Sequence, residues 1–352
     1  MNTIHITASR EYDVLVQRGG LDDLGTEAAR VLKPGKAALV TDDRVFPHYG
    51  GRARQALESA GFSVTPIVIP HGEQHKTLDT LGTVLEALCD AHLTRSDCIV
   101  ALGGGVVGDL AGFAAAVYLR GIPYIQVPTT LLAMVDSSVG GKTAVDLPGG
   151  KNQAGAFYQP SLVLCDPTVL DTLPEEEFRC GCAEIIKYGL LGNEPFFRSL
   201  QRTPIRNQLE TVITTCVQMK RDVVAADEFD RGERQKLNLG HSFGHAVEQC
   251  SGFTLLHGQA VAIGMAAITR AAFARGICSR ETLEDVLSIL RAYDLPTETS
   301  YPLDELARAA LSDKKMAGGT MHLIAPEAVG RCRIQAIPAG ELRDWMASGG
   351  LK

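Results

Sequence analysis

From Tyr12 to Leu102 the chain alternates short apolar runs with longer stretches of helical period. Tyr12–Gln17 alternates as a half-buried strand, Ala37–Thr41 is an apolar run ending on Asp42 and Asp43, and Val64–Ile69 and Cys98–Leu102 read as further buried strands. A helical pattern over Leu78–Ala91 separates the last two. Strands spaced by helix-length segments predict an α/β fold with a parallel sheet and helices on its faces. Beyond about Asp166 the pattern changes. Glu175–Leu191, Asn207–Ala226, Arg234–Gln249, Gln259–Arg275 and Arg280–Ala292 carry apolar residues at a 3.6-residue period, and only Thr320–Ile324 and Arg331–Ile334 read as strands. The expected organisation is an α/β domain over residues 1–170 and a mainly helical domain over residues 171–352.

Composition narrows the classes of function. A 352-residue chain that is 45% hydrophobic suits a soluble protein with a large core in two domains. Its net charge of -7 argues against broad binding to nucleic acid or an anionic membrane, so an anionic ligand needs a local basic cluster. The nine cysteines are scattered and contain no C-x-x-C pair, which points to reduced thiols in a cytoplasmic protein. No signal peptide is expected from the first residues, and the most apolar stretch, Ala260–Ala274, is interrupted by Arg270.

Three clusters suggest chemistry. Gly103-Gly104-Gly105-Val106-Val107-Gly108 matches G-x-G-x-x-G, follows a buried strand and opens a helical pattern. In that context glycines let the backbone approach a pyrophosphate, and helix N-terminal amides hold it. A plain tight turn is the other reading. The acidic residue expected about 20 positions on for a ribose is missing, since no Asp or Glu lies between Asp109 and Asp136, and Asp42 could take its place. The second cluster is Arg234, Asn238, His241 and His245, which share one stripe if the segment is a single α-helix. With His257, at the head of the next helix, and Glu184, at another helix start, they offer the two imidazoles and one carboxylate of a catalytic metal site, although spacing does not decide which histidines are ligands. The third is a set of lysines in glycine-rich surroundings, Lys142 after Gly140-Gly141 and Lys151 after Gly149-Gly150, with Lys187 three residues after Glu184 and Lys220 on a later helix. Each is more often a surface residue, but a glycine loop lets backbone and ammonium reach an anion together.

Taken in order, GGGVVGDLAGFAAAVYLRG, QVPTTLLAMVDSSVGGKTAV, GGKNQAGAFYQP, AEIIKYG, LNLGHSFGHAVE and HGQAVAIGM resemble the 3-dehydroquinate synthases, over about Ala37 to Leu323. The resemblance implies a Rossmann-like NAD-binding domain followed by a helical metal-binding domain, active as a homodimer. It implies NAD held by Asp42, Glu73, Lys76, Gly104, Gly105, Val106, Asp109, Thr129, Thr130, Lys142 and Lys151, and zinc or cobalt held by Glu184, His241 and His257. The substrate phosphate falls to Lys142, Asn152, Lys187 and His245, with Arg120 from the partner subunit. The carboxylate falls to Arg234 and Asn238 with Lys314 or Lys315, and the ring hydroxyls to Asp136 and Lys220. The reaction implied is conversion of 3-deoxy-D-arabino-heptulosonate 7-phosphate to 3-dehydroquinate: transient oxidation at C5, phosphate elimination, re-reduction and an internal aldol closure.

Two positions depart from the family pattern: Asp230 and Gln259 stand where glutamates are usual. The nearest alternatives are related sugar-phosphate cyclases of secondary metabolism and a metal-dependent glycerol or alcohol dehydrogenase. The lysine-bearing loops and the Arg234–Asn238 pair favour a phosphorylated, carboxylate-bearing substrate over both.

Overall fold

The computed structural model describes residues 1–313 and 319–352. Its elements separate into two compact units, Met1–Pro174 with Leu209–Phe229, and Glu175–Gln208 with Asp230–Lys352.

The first unit contains β1 (Asn2–Ile6), β2 (Tyr12–Val16), α1 (Leu24–Val31), β3 (Lys36–Asp42), α2 (Gly51–Ser59), β4 (Ser63–Ile69), α3 (Leu78–Asp90), β5 (Cys98–Gly103), α4 (Gly105–Val117), β6 (Tyr124–Pro128), β7 (Lys142–Leu147), β8 (Gly150–Phe157) and β9 (Leu162–Cys165). Seven strands form one sheet in the order β1-β2-β9-β6-β5-β3-β4. All neighbours are parallel except β1 and β2. β5 is buried at all six residues, as a strand covered on both faces must be, which explains its unbroken apolar run. One core cluster joins β3, β4 and β5 to α3 and α4 through Val40, Ile69, Leu88, Ala101, Leu110 and Ala114. β4 follows β3 on one side and β5 returns to the other, so the strand order reverses at β3 and β5, and it is at the carboxyl ends of strands at such a switch point that these sheets bind ligands.

The second unit contains α5 (Glu175–Gly192) and α6 (Glu194–Arg202). After α7 (Leu209–Ala226), which belongs to the first unit, it continues with α8 (His241–Cys250), α9 (His257–Ala274), α10 (Arg280–Ala292), α11 (Leu303–Asp313), β10 (Thr320–Ala328), β11 (Arg331–Pro338) and α12 (Leu342–Ser348). β10 and β11 form an antiparallel hairpin. Thirteen of the eighteen residues of α9 are buried, which makes it the central helix, packed by α5, α8, α10, α12 and β10.

Three expectations need correction. Arg234–Gln249 is not one helix: a 3-10 turn over Glu233–Asn238 ends at Leu239, and Gly240, with φ +80°, turns the chain before α8 begins. The four-residue stripe therefore does not exist, and only His241 and His245 share a helix. Glu184 lies in the middle of α5 rather than at a helix start. The lysine-bearing loops are the hairpin β7–β8, in which Lys142 pairs with Phe157. In addition, a division at Leu170 does not anticipate the return of α7, which packs on β1 and β2.

Candidate active site

The second unit brings a carboxylate and two imidazoles together by close helix packing. A Cβ on Gly264 of α9 would lie 1.9 Å from the Gly240 carbonyl oxygen, so α8 and α9 cross with backbone nearly touching backbone. A Cβ on Gly258 would lie 2.3 Å from the Cys180 Cα, so the first turn of α9 meets α5 just as closely. These approaches deliver His257, the first residue of α9, and His241, the first of α8, to Glu184 on α5. Gln259 steadies that first turn by accepting a hydrogen bond from the Leu256 amide, 3.2 Å away.

His241 Nε2 lies 3.6 Å and His257 Nε2 3.5 Å from the same Glu184 oxygen, Oε1. The imidazole rings are 5.3 Å apart at their centroids. Donors held ~2.1 Å from a tetrahedral ion lie ~3.4 Å from one another. The three residues thus have both the chemistry and the spacing to hold a divalent cation, and they are one of two sets among the described residues that do. The other, His245, Glu248 and His257, shares a histidine with it.

The histidines are prepared differently. His241 Nδ1 donates to the Leu239 carbonyl at 3.1 Å, which leaves the Nε2 lone pair facing Glu184. Burial pushes its pKa down to about 3, against the pull of Glu184, so the ring is neutral and ready to ligate. His257 is opposite. Burial again disfavours its charge, but hydrogen bonds to Glu184 and Glu248 outweigh this and hold its pKa at about 9 in the metal-free protein. Lys187, one turn beyond Glu184, is buried beside it and forms an ion pair with it. His245 packs edge-on to His241, with centroids 5.4 Å apart. Arg234 is 1% exposed and Asn238 is half-buried, both in the turn before Gly240. Lys314 and Lys315 lie outside the described residues.

The first unit assembles a second group. Lys76 Nζ donates to Asp109 Oδ2 and to Asn152 Oδ1, each at 2.6 Å, and Glu73 lies 3.9 Å away. Burial disfavours the Lys76 ammonium, but the carboxylates of Asp109 and Glu73 outweigh it and raise its pKa above that of an ordinary lysine. Lys151 extends the network to Glu73 at 3.3 Å, and Asn152 is held at φ +54° while its amide donates to Asp146 at 2.7 Å. Lys220, on α7, donates to the carbonyl and carboxylate oxygens of Asp136 at 2.6 and 2.5 Å.

The glycine turn joins β5 to α4 as the motif requires. Gly104 is extended and offers no side chain to cap the helix, and a Cβ there would sit 2.9 Å from Thr130 Cγ2. Gly105 and Val106 open α4, and the Thr129 amide donates to the Gly103 carbonyl at 2.9 Å. The first amides of a thirteen-residue helix that opens on half-buried Gly105 and Val106, at a switch point of the sheet, suit a pyrophosphate. Asp42 ends β3 beside this turn, as the pairing of Thr41 with Leu102 requires, and its Oδ1 accepts from the Arg44 and Val45 amides at 2.9 and 2.8 Å. Arg120 is exposed at φ +68°, next to Leu119 at φ +49°. One residue escaped the sequence reading: Glu248, which is 3% exposed and three residues after His245. The spacing His241, His245, Glu248 puts all three on one face of α8, and that pattern was its available signal.

Residues 66–180 match the family described as 3-dehydroquinate synthase N-terminal, and residues 181–316 its C-terminal counterpart. The 3-dehydroquinate synthase of Pelobacter propionicus is 45% identical over 339 residues, covering 94% of each chain. That of Caulobacter vibrioides is 46% identical over 337 residues, 91% of each.

This chain belongs to the 3-dehydroquinate synthase family.

Solved structures are similar across the same length. The 2-epi-5-epi-valiolone synthase from Streptomyces hygroscopicus, with NAD+ and Zn2+ bound, superposes with a TM-score of 0.88 at 28% identity, covering 99% of each chain. A 2-deoxy-scyllo-inosose synthase gives 0.87 at 25%, covering 99% of this chain and all of the other. The 3-dehydroquinate synthase family thus shares its fold with cyclases that make other rings. No described helix is long and apolar enough to cross a membrane.

Proposed function

We propose that this chain is a 3-dehydroquinate synthase, a lyase of the shikimate pathway. It would convert 3-deoxy-D-arabino-heptulosonate 7-phosphate to 3-dehydroquinate and inorganic phosphate. The observation that carries this reading is a metal-type donor set with a buried ammonium beside it, Glu184, His241 and His257 next to Lys187, in a chain 45% identical to a relative of that name. A simple polyol oxidation has no use for so many buried cations outside the NAD site; Lys187, Lys220 and Arg234 are all under 7% exposed.

Glu184, His241 and His257 would hold zinc or cobalt. Asp42, Glu73, Lys76, Gly104, Gly105, Val106, Asp109, Thr129, Thr130, Lys142 and Lys151 would hold NAD, whose pyrophosphate would sit on the first amides of α4. When bound, NAD supplies a reversible hydride acceptor and the metal polarises the substrate hydroxyl. The protein's own work is binding and orientation. Lys142, Asn152, Lys187 and His245 would grip the phosphate, so that it leaves in a defined direction and can itself accept the proton lost from the ring. Arg234 and Asn238 would orient the carboxylate, and Asp136 with Lys220 the ring hydroxyls. Their 2.5 Å contact keeps both side chains ordered before substrate arrives.

The expected assembly is a homodimer in the cytoplasm, with Arg120 completing the partner's phosphate site. Leu119 and Arg120 are consecutive left-handed residues, a backbone strain that clusters at functional segments.

Purified protein with NAD and zinc should release phosphate from the heptulosonate phosphate with no lasting NADH absorbance, and a chelator should stop it. Phosphate release unaffected by metal removal, or NADH accumulating on simple polyols, would overturn the reading. Arg234→Ala should lower kcat/KM by roughly 100-fold, about 2.7 kcal/mol, for the carboxylate-bearing substrate and far less for a decarboxylated analogue. Equal losses on both would remove Arg234 from the carboxylate site.

A further inference from the structure

Glu248 is a buried carboxylate that the reaction does not call for. It is 3% exposed, at the inner face of α8, and a charge in such a place is costly unless something nearby uses it. Its Oε2 lies 3.4 Å from His257 Nδ1, while Nε2 of the same ring lies 3.5 Å from Glu184. The ring is therefore held at both nitrogens, with one directed into the donor set and the other against a carboxylate. His241 is held in the same way, but its Nδ1 meets a backbone carbonyl that no substitution can remove.

We infer that Glu248 is the positioning residue of the metal site: it accepts from His257 Nδ1–H, selects the tautomer whose Nε2 is the ligand, and makes that nitrogen a stronger donor. The inference rests on the metal reading proposed above. Carboxylates placed behind ligating histidines act in this way by fixing ring orientation and raising ligand basicity. The role is needed at His257 because this histidine is the first residue of α9 and follows Leu256, which is extended at ψ 146°. Its backbone is steadied by the Gln259 contact, but its χ angles are not. The same atoms allow a rival assignment, in which Glu248 is itself a ligand with His245 and His257.

The test compares Glu248→Gln and Glu248→Ala with the unaltered protein, measuring zinc affinity by competition with a chromophoric chelator and the visible spectrum of the cobalt-loaded form. A positioning role predicts zinc binding weaker by about 10–100-fold in Glu248→Ala. Glu248→Gln, which keeps an acceptor oxygen and nearly the same shape, should recover part of that loss. The cobalt band should keep its intensity in both, because the ligand set is unchanged. Zinc affinity within twofold of the unaltered protein in both variants would overturn the inference. So would a cobalt band changed in position or intensity in Glu248→Gln, which would make Glu248 a ligand. If Glu248→Ala does not fold, the near-isosteric Gln variant decides alone, by weakened zinc binding with an unchanged cobalt band. Should the unaltered protein take up neither metal, the metal reading itself falls, and this inference with it; failure confined to the variants leaves that reading standing.

Discussion

His257→Ala should leave the protein folded but without bound zinc. The residue is one of the three proposed donors, and its Nε2 lies 3.5 Å from Glu184 Oε1, the spacing of two ligands on one ion. Changes to groups behind a ligand cost about 10–100-fold in affinity, so loss of a ligand should cost on the order of 1,000-fold or more. Turnover should fall by a similar factor, since polarisation by a metal is worth several kcal/mol. His245→Ala is the matched control: it removes a neighbouring imidazole and should keep zinc while weakening phosphate-dependent turnover. Zinc content by elemental analysis after gel filtration separates the two. Full occupancy in His257→Ala, or loss of zinc in His245→Ala alone, would redraw the ligand set.

Gly264→Ala should be nearly as damaging, although it adds only a methyl group and touches no proposed ligand. That methyl would lie 1.9 Å from the Gly240 carbonyl oxygen and 2.8 Å from the Gly244 nitrogen, both backbone atoms that no rotamer change can move. The helices must separate, and α8 carries His241 while α9 carries His257. Overpacking of a tight core costs about 1–3 kcal/mol, and this collision belongs at the upper end. Zinc affinity should fall with stability, because the donor spacing depends on the crossing. Gly82→Ala is the counterpart. Gly82 lies inside α3, nothing would meet its Cβ within 4 Å, and alanine there should stabilise by about 1 kcal/mol through helix propensity. A Gly264→Ala protein with unchanged melting temperature and zinc content would show that the crossing tolerates more than its geometry allows.

Much of the fold was legible before any coordinates. β3 and β5 are apolar runs because strands covered on both faces must be, whereas β4, at the edge of the sheet, alternates buried with exposed residues, and α10 begins and ends where its 3.6-residue pattern does, with Ser279 capping its first turn. The glycine turn stands between strand and helix as its motif requires. His257 was placed correctly at the head of a helix, and Glu184 and Lys187 were paired by their spacing of three. Where periodicity misled, it did so at a glycine. The apolar pattern runs through Arg234–Gln249 without a break, but Gly240 adopts a left-handed conformation that hydrophobic spacing does not encode. The β7–β8 hairpin was hidden for a related reason, since its exposed, glycine-containing second strand lacks the alternation that marks a half-buried one.

By itself, then, the sequence determined what depends on neighbours along the chain: the α/β first unit, most helices of the second, the glycine turn, and the residue types of a metal site. Only the tertiary structure decided which of them meet. The return of α7 to the first unit, the union of Glu184 with His241 and His257, and the carboxylate of Glu248 behind that union all join residues far apart in sequence or turned by one dihedral angle. Local pattern records which face of an element is buried, not what it is buried against. That choice is made by close packing, here by two glycines on α9 that let the backbones of α5 and α8 come within reach.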